Sequence, residues 1–126
     1  MHQEPSSGGQ RSLKAVIIDD EPDCVKLLAL QLKMYCPQVE VVAECTESDA
    51  GLLKIKSLQP DIVFLDIEMP VMNGFQLLEK IDNINFSLVF LTSLHHFRYI
   101  RLPLPPADNT FLTVVQAVLH SQAHHL

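Results

Sequence analysis

Two acidic stretches of the sequence together have the residue types of a metal site. Asp19 and Asp20 follow the apolar run "KAVII", and Asp66 follows the apolar run "DIVFL". Crowded carboxylates repel one another, and their proton affinities rise unless a cation shares the site. Mg²⁺ suits such a site because it takes a few carboxylates and keeps waters and phosphate oxygens as its other ligands. Either stretch alone is more typical of a helix start or a strand end, but the two at matching strand ends indicate phosphate chemistry.

Alternating strands and helices are expected to bring these acids together. Apolar runs typical of strands cover residues 14–19, 40–45, 61–67 and 87–93. Amphipathic stretches lie between them, in "DCVKLLALQLKMY", "SDAGLLKIKSL" and "GFQLLEKI", and a last helix is expected at about 109–123. Pro22 suits a first helical turn and Ser48 an N-cap. The alternation predicts an α/β doubly wound sheet with right-handed crossovers, helices on both faces, and ligands at the carboxyl ends of its strands.

The composition fits one domain of this kind. The chain has 126 residues, of which 48% are hydrophobic and 19% charged. Its net charge of −6, without a basic run, argues against direct binding of nucleic acid or of an acidic membrane surface. No apolar run approaches the length of a membrane span.

The cysteines and the first residues predict a cytoplasmic protein. Cys24, Cys36 and Cys45 are odd in number and lack CxxC spacing, which favours reduced thiols in a reducing compartment. Residues 1–12 contain no apolar stretch that could serve as a secretory signal. We expect them to form a flexible leader or expression remnant, and residues 13–126 to form the domain.

The combination of "VIIDDEP", "PDIVFLDIEMPVMNG" and "VFLTS" resembles the receiver domain of bacterial two-component response regulators. The "DDEP" and "DIEMP" stretches are most similar to the subgroup that usually carries a LytTR-type DNA-binding module. The resemblance covers residue 13 to about residue 93. It implies a flavodoxin-like (CheY-like) parallel sheet, and a signalling acceptor served by a sensor histidine kinase rather than a turnover enzyme.

Site residues follow from the resemblance position by position. Asp66 matches the aspartate that accepts the phosphoryl group, and Asp19 and Asp20 match the acidic pair that holds Mg²⁺. Asp66 itself and the backbone carbonyl of Glu68 complete the expected metal ligands. Thr92 matches the hydroxyl residue that moves toward the phosphoryl group on activation. A carboxylate nucleophile forms an acyl phosphate, and the transfer depends mainly on positioning and charge neutralisation.

The loop after the acceptor also matches the family. Pro70 and Gly74 correspond to the turn that shapes this loop, and glycine is suited to backbone conformations that other residues avoid. Met69 and Met72 are predicted to be packing residues rather than ligands.

The sequence departs from the family near its fifth strand, where "YIRLP" is the best match. Tyr99 falls at the aromatic switch position and Pro103 at the proline, but Leu102 replaces the lysine that contacts the phosphoryl group. Arg101 is one residue away, and adjacent strand residues face opposite sides of a sheet. We therefore expect altered phosphorylation signalling.

The connection before this segment is too short for the family pattern. Only "LHHFR" separates the two apolar runs, whereas a parallel return needs a dozen or more residues. Four clear strands are thus predicted, with the fourth helix missing and the fifth strand abnormal: a loop, an edge hairpin or a swapped element. Apolar surface left uncovered would favour a non-standard or swapped homodimer.

Two other functions remain open on sequence grounds. A pseudo-receiver would keep the fold and act as a phosphorylation-independent interaction or dimerisation module. A phosphatase of the haloacid dehalogenase type would also use a strand-end aspartate and a later threonine, Thr92. In that case Glu68 would stand where that family has its second aspartate, the acidic pair would precede the nucleophile, and no suitable lysine follows Thr92.

Overall fold

Strands and helices alternate along the chain, as the sequence predicts. The computed structural model describes residues 12–91 in full and the backbone of one further strand. The elements are β1 (Leu13–Ile18), α1 (Pro22–Tyr35), β2 (Val39–Cys45), α2 (Ser48–Leu58), β3 (Ile62–Asp66), α3 (Gly74–Glu79), β4 (Ser87–Leu91) and β5 (Phe97–Ile100). The helix predicted at 109–123 lies outside the described residues.

The sheet has the order β2-β1-β3-β4-β5, and its first four strands are parallel. The central strands β1 and β3 pair directly, with Ile18 opposite Leu65. Asp66 pairs in register with Leu91 of β4. The predicted doubly wound α/β fold is therefore confirmed, and β1 and β3 end side by side at the carboxyl edge of the sheet.

The fifth strand is antiparallel to β4. Leu91 lies opposite Phe97, and Leu88 lies opposite Ile100. Of the alternatives left open by the sequence, this pairing is the edge hairpin. Only residues 92–96, which are outside the described part, separate the two strands, and a hairpin needs no crossover helix. As a result β5 runs away from the carboxyl edge, toward the edge where β4 begins.

Two apolar layers hold the sheet between its helices. Phe64 belongs to the layer under α1, and its neighbour Leu65 belongs to the layer under α2 and α3, because successive strand residues face opposite sides. Every residue of β3 is buried. Complete burial of a side chain of this size contributes about 1.5–3 kcal/mol, so the strand that carries Asp66 is firmly fixed.

The starts of the first two helices differ in how far the sequence predicts them. Pro22 occupies the first turn of α1, as expected. For α2 the prediction was wrong, because Glu47 is the N-cap and makes no side-chain cap. Ser48 is already helical, and its hydroxyl donates a hydrogen bond to the Met72 carbonyl instead. None of the helices in residues 12–91 is long and apolar enough to cross a membrane.

Candidate functional site

Three carboxylates meet at the carboxyl edge of the sheet. Asp19 and Asp20 follow β1 directly, and Asp66 is the last residue of β3. One carboxylate oxygen from each lies within 4.8 Å of the other two. The juxtaposition follows from the parallel pairing of β1 with β3, which ends both strands at the same level.

Backbone groups orient the two buried carboxylates. Asp19 and Asp66 are only 8% and 6% exposed. The Glu21 N–H donates to Asp19 Oδ1 at 2.9 Å, and the Glu68 N–H donates to Asp66 Oδ1 at 3.0 Å. Both are local turns in which an aspartate accepts from the backbone two residues further on, a preference of this short side chain. The strand ends therefore fix both the position and the orientation of these side chains.

The electrostatics of the cluster favour a bound cation. The pKa of the Asp66 carboxyl is raised to about 7 from its ordinary value of 3.8, and burial is the largest cause. A hydrogen bond with the Asp20 side chain and repulsion from Asp19 and Asp20 also contribute to this rise, while the Glu68 N–H acts in the opposite direction. No cationic side chain of the described residues is among these causes. A divalent cation would reverse the imbalance, since it favours the charged form of all three groups.

The cluster fits Mg²⁺ in particular. Its donors are carboxylate oxygens from three side chains, which are hard ligands suited to a small hard ion. No thiol joins the group among the described residues. Asp19, Asp20 and Asp66 could therefore hold Mg²⁺ with positions left over for water and phosphate oxygens.

The three cysteines are not in disulfide bonds and are not among the residues of this cluster. Burial raises the pKa of Cys36 to about 11. Burial, followed by repulsion from Asp19 and other nearby acids, raises the pKa of Cys24. Burial also raises the pKa of Cys45, against a smaller opposite effect of Lys54. The thiolate is the reactive form, so these thiols are poor nucleophiles.

Close packing explains Gly74 better than backbone conformation does. A Cβ at this position would lie 2.6 Å from the carbonyl oxygen of Asp66 and 3.1 Å from Cα of Ile67. The Gly74 N–H also donates to the Ile67 carbonyl at 2.9 Å. Its φ is outside the left-handed range, so the sequence-based reason for this glycine was wrong. The start of α3 therefore lies directly against the backbone at the end of β3.

Other residues of the loop between β3 and α3 fix the start of α3 and anchor the loop in the apolar layer. Asn73 and Gln76 form a reciprocal capping box at the start of α3, with both hydrogen bonds at 2.9 Å. Met69 and Met72 are buried in the layer under α2 and α3, so their predicted packing role is confirmed.

The sequence did not predict the backbone conformation of Val71 in the same loop. Its φ is 71°, a region that valine strongly disfavours.

Several predicted site residues cannot be placed at the cluster. Thr92, Arg101 and Leu102 lie outside the described residues. Tyr99 is in β5 with its backbone opposite Val89, two residues before the end of β4. The roles predicted for Thr92, Tyr99 and the Glu68 carbonyl therefore stay predictions.

Comparisons with known proteins agree on one family. The family model "Response regulator receiver domain" matches residues 15–101. A protein-glutamate methylesterase/protein-glutamine glutaminase of Agrobacterium fabrum is 39% identical over 84 residues, which are 66% of this chain and 24% of that protein. The DNA-binding transcriptional activator EvgA of Escherichia coli K12 is 32% identical over 79 residues, 63% of this chain and 38% of EvgA. This chain thus spans only a minor part of the length of these relatives.

Solved structures show the same fold. The response regulator domain of Thermotoga maritima CheB matches with a TM-score of 0.64 and 21% identity, over 90% of this chain and 96% of that one. The REC domain of AraT from Geobacillus stearothermophilus matches with a TM-score of 0.59 and 21% identity, over 90% and 98% of the two chains.

Proposed function

Because the chain belongs to the family of response regulator receiver domains, we propose that Asp66 accepts a phosphoryl group from a sensor histidine kinase in two-component signalling. The observation that carries this proposal is the convergence of three carboxylate oxygens within 4.8 Å at the end of two adjacent strands. Ligands of a doubly wound sheet bind at this edge, and Mg²⁺ held by the three carboxylates would supply the charge neutralisation on which phosphoryl transfer depends.

The residues of the chain have distinct parts in this transfer. An oxygen of the Asp66 carboxylate attacks phosphorus, the bond from phosphorus to the kinase histidine breaks, and its electron pair returns to the imidazole nitrogen. The Glu68 N–H keeps the Asp66 carboxyl oriented through Oδ1. Asp19 and Asp20 would hold Mg²⁺ together with Asp66 and the Glu68 carbonyl. When bound, the ion supplies neutralisation of the negative charge on the transferring group.

A small phosphodonor and Mg²⁺ test the proposal without the kinase. Incubation with acetyl phosphate should add one acid-labile phosphoryl group to the parent chain, detected by intact mass. Asp66→Asn should gain none. Asp82→Asn, which changes an exposed aspartate in the loop after α3, should behave like the parent. A parent that stays unmodified with Mg²⁺ bound would overturn the proposal.

One observation favours a second function, that of a phosphorylation-independent interaction module. The antiparallel β5 departs from the all-parallel sheet that the resemblance implies, and it runs away from the acidic cluster. The sequence adds Leu102 at the lysine position. The same mass experiment decides between the two functions, since an interaction module would remain unmodified. Turnover of many phosphate esters by Asp66 would instead point to a phosphatase.

Partners and setting are part of the same proposal. Residues 13–126 would form the receiver, with residues 1–12 as a leader, and work in the cytoplasm as a signalling acceptor rather than a turnover enzyme. The "DDEP" and "DIEMP" stretches support an output through a LytTR-type DNA-binding module, and the relatives carry other outputs. A non-standard homodimer is also proposed. Light scattering that gives only monomer mass at high concentration would contradict it.

A further inference from the structure

The loop that joins β3 to α3 contains a strained turn. The Met72 N–H donates to the Pro70 carbonyl at 2.7 Å, which closes a three-residue turn centred on Val71. The φ of Val71 is 71°. A turn of this kind with positive φ is rare and strained, and a β-branched residue at its centre adds to the strain. The Val71 side chain is 97% exposed, so no packing of its own offsets this strain.

A side chain from another element holds this turn. The Ser48 hydroxyl, at the start of α2, donates to the Met72 carbonyl at 2.5 Å and also contacts Met69 Sδ at 3.8 Å. Ser48 is buried, and Met72 is the residue that closes the turn around Val71. The contact joins residues 24 positions apart in the sequence. It therefore acts against the tendency of the strained turn to open.

The loop between β3 and α3, to which Ser48 is hydrogen-bonded, also borders the acidic cluster. Glu68 lies in it and orients the Asp66 carboxyl through its N–H. A cavity of about 350 Å³ is lined by the loop residues Met69, Pro70 and Val71, by Ser48 and by Asp20 of the cluster. A turn that opened would thus have room to move, and its motion would be transmitted to the backbone around Glu68.

We propose that Ser48 is a positioning residue of the acceptor site: its hydrogen bond to the Met72 carbonyl keeps the strained turn at Val71 closed and so holds the Glu68 backbone where it serves Asp66 and the metal. This inference rests on the proposed function, since it concerns the geometry of the Mg²⁺ and phosphoryl site. Ser48 is not one of the residues that would hold the metal. It acts through the loop.

Magnesium affinity measured by NMR titration tests this role. Ser48→Ala should weaken Mg²⁺ binding by about tenfold, because groups that orient metal ligands typically have effects of this size. Ser48→Thr keeps the hydroxyl, has the adjoining cavity for its methyl group, and should retain the parent affinity. Ser57→Ala is the matched control, since Ser57 is an exposed serine in the last turn of the same helix. Equal Mg²⁺ affinity in Ser48→Ala and the parent would overturn the inference.

Relief of the strain gives an independent test that does not depend on the stability of Ser48→Ala. Val71→Gly should raise the melting temperature, because glycine adopts positive φ without strain. The double variant Ser48→Ala with Val71→Gly should recover most of the Mg²⁺ affinity lost in Ser48→Ala, a non-additivity expected for coupled sites. A melting temperature lowered by Val71→Gly, or a double variant as weak as Ser48→Ala, would contradict the role of strain.

Measurements on the parent chain distinguish failure of the proposed metal site from failure of the role of Ser48. A parent chain that does not bind Mg²⁺ at the cluster refutes the proposed metal site and with it this inference. A parent that binds Mg²⁺ and is phosphorylated, with Ser48→Ala indistinguishable from it in both respects, refutes the positioning role alone.

Discussion

Replacement of Asp66 by Asn should make the metal-free protein more stable at neutral and alkaline pH. The pKa of Asp66 is about 7 in the folded protein and near 3.8 when exposed. Between these values the folded state binds more protons than the unfolded state. The free energy of unfolding therefore falls as pH rises from about 3.8 to about 7. Below this window Asp66 is protonated in both states and costs no stability, and above it the cost of the buried charge is complete.

The size of the effect follows from the same two pKa values. Each unit of difference between the folded and unfolded pKa corresponds to about 1.4 kcal/mol. Above pH 7 the charge on Asp66 therefore destabilises the folded protein by up to about 4 kcal/mol. Asparagine has almost the same shape and no charge to bury. The advantage of the variant in free energy of unfolding should therefore grow by about 2–4 kcal/mol from pH 4 to pH 8.

Urea denaturation in the presence of EDTA measures this difference. Circular dichroism is the suitable signal because the chain has no tryptophan. Asp82→Asn serves as the control for an exposed aspartate, and its stability should follow that of the parent at every pH. Saturating Mg²⁺, at about 100 times its Kd, should stabilise the parent by about 2.7 kcal/mol and the Asp66→Asn variant by less. A pH-independent difference between Asp66→Asn and the parent would refute the electrostatic argument.

Three further substitutions test the surroundings of the cluster. Gly74→Ala should lower the free energy of unfolding by about 1–3 kcal/mol, because its Cβ would meet the Asp66 carbonyl oxygen at 2.6 Å; an unchanged urea midpoint would contradict this close approach. Asn73→Ala removes the capping box of α3 and should destabilise by about 1 kcal/mol in the same assay, while Asn83→Ala, at an exposed loop position, should have no effect. Asp20→Asn should weaken Mg²⁺ binding and lower the pKa of Asp66 in the metal-free protein. NMR of the Asp66 side-chain carboxyl measures this pKa, and a value that stays near 7 would exclude a contribution from Asp20.

Patterns local in sequence predicted most of the fold and the site. Strands of five to seven residues, rich in apolar side chains and alternating with amphipathic helices, allow few arrangements other than a doubly wound sheet. Once β1 and β3 are neighbours, the acids that follow them must meet at one edge. For this reason Asp19, Asp20 and Asp66 could be assigned to one cluster before any coordinates were known.

Features that depend on tertiary contacts could not be predicted in the same way. A serine before an amphipathic stretch is typical of an N-cap, but Ser48 bonds instead to a carbonyl 24 residues away. Nothing in the local sequence predicts a valine with positive φ, because its side chain disfavours that conformation. The short connection after β4 argues against a parallel return, yet the sequence alone leaves a loop, a hairpin and a swapped element open.

The hairpin of β4 and β5 has a consequence for how the chain folds. Each parallel pair in the sheet can form only after the chain has made a crossover connection. In contrast, β4 and β5 are adjacent in the sequence and can form a hairpin within microseconds. Without β5, β4 would be the edge strand of the described sheet, and its unpaired backbone N–H and C=O groups could pair with other chains. An early hairpin would cover this edge of β4 and leave the four-residue β5 as the border of the described sheet, and short edge strands are one of the ways in which proteins limit edge-to-edge association.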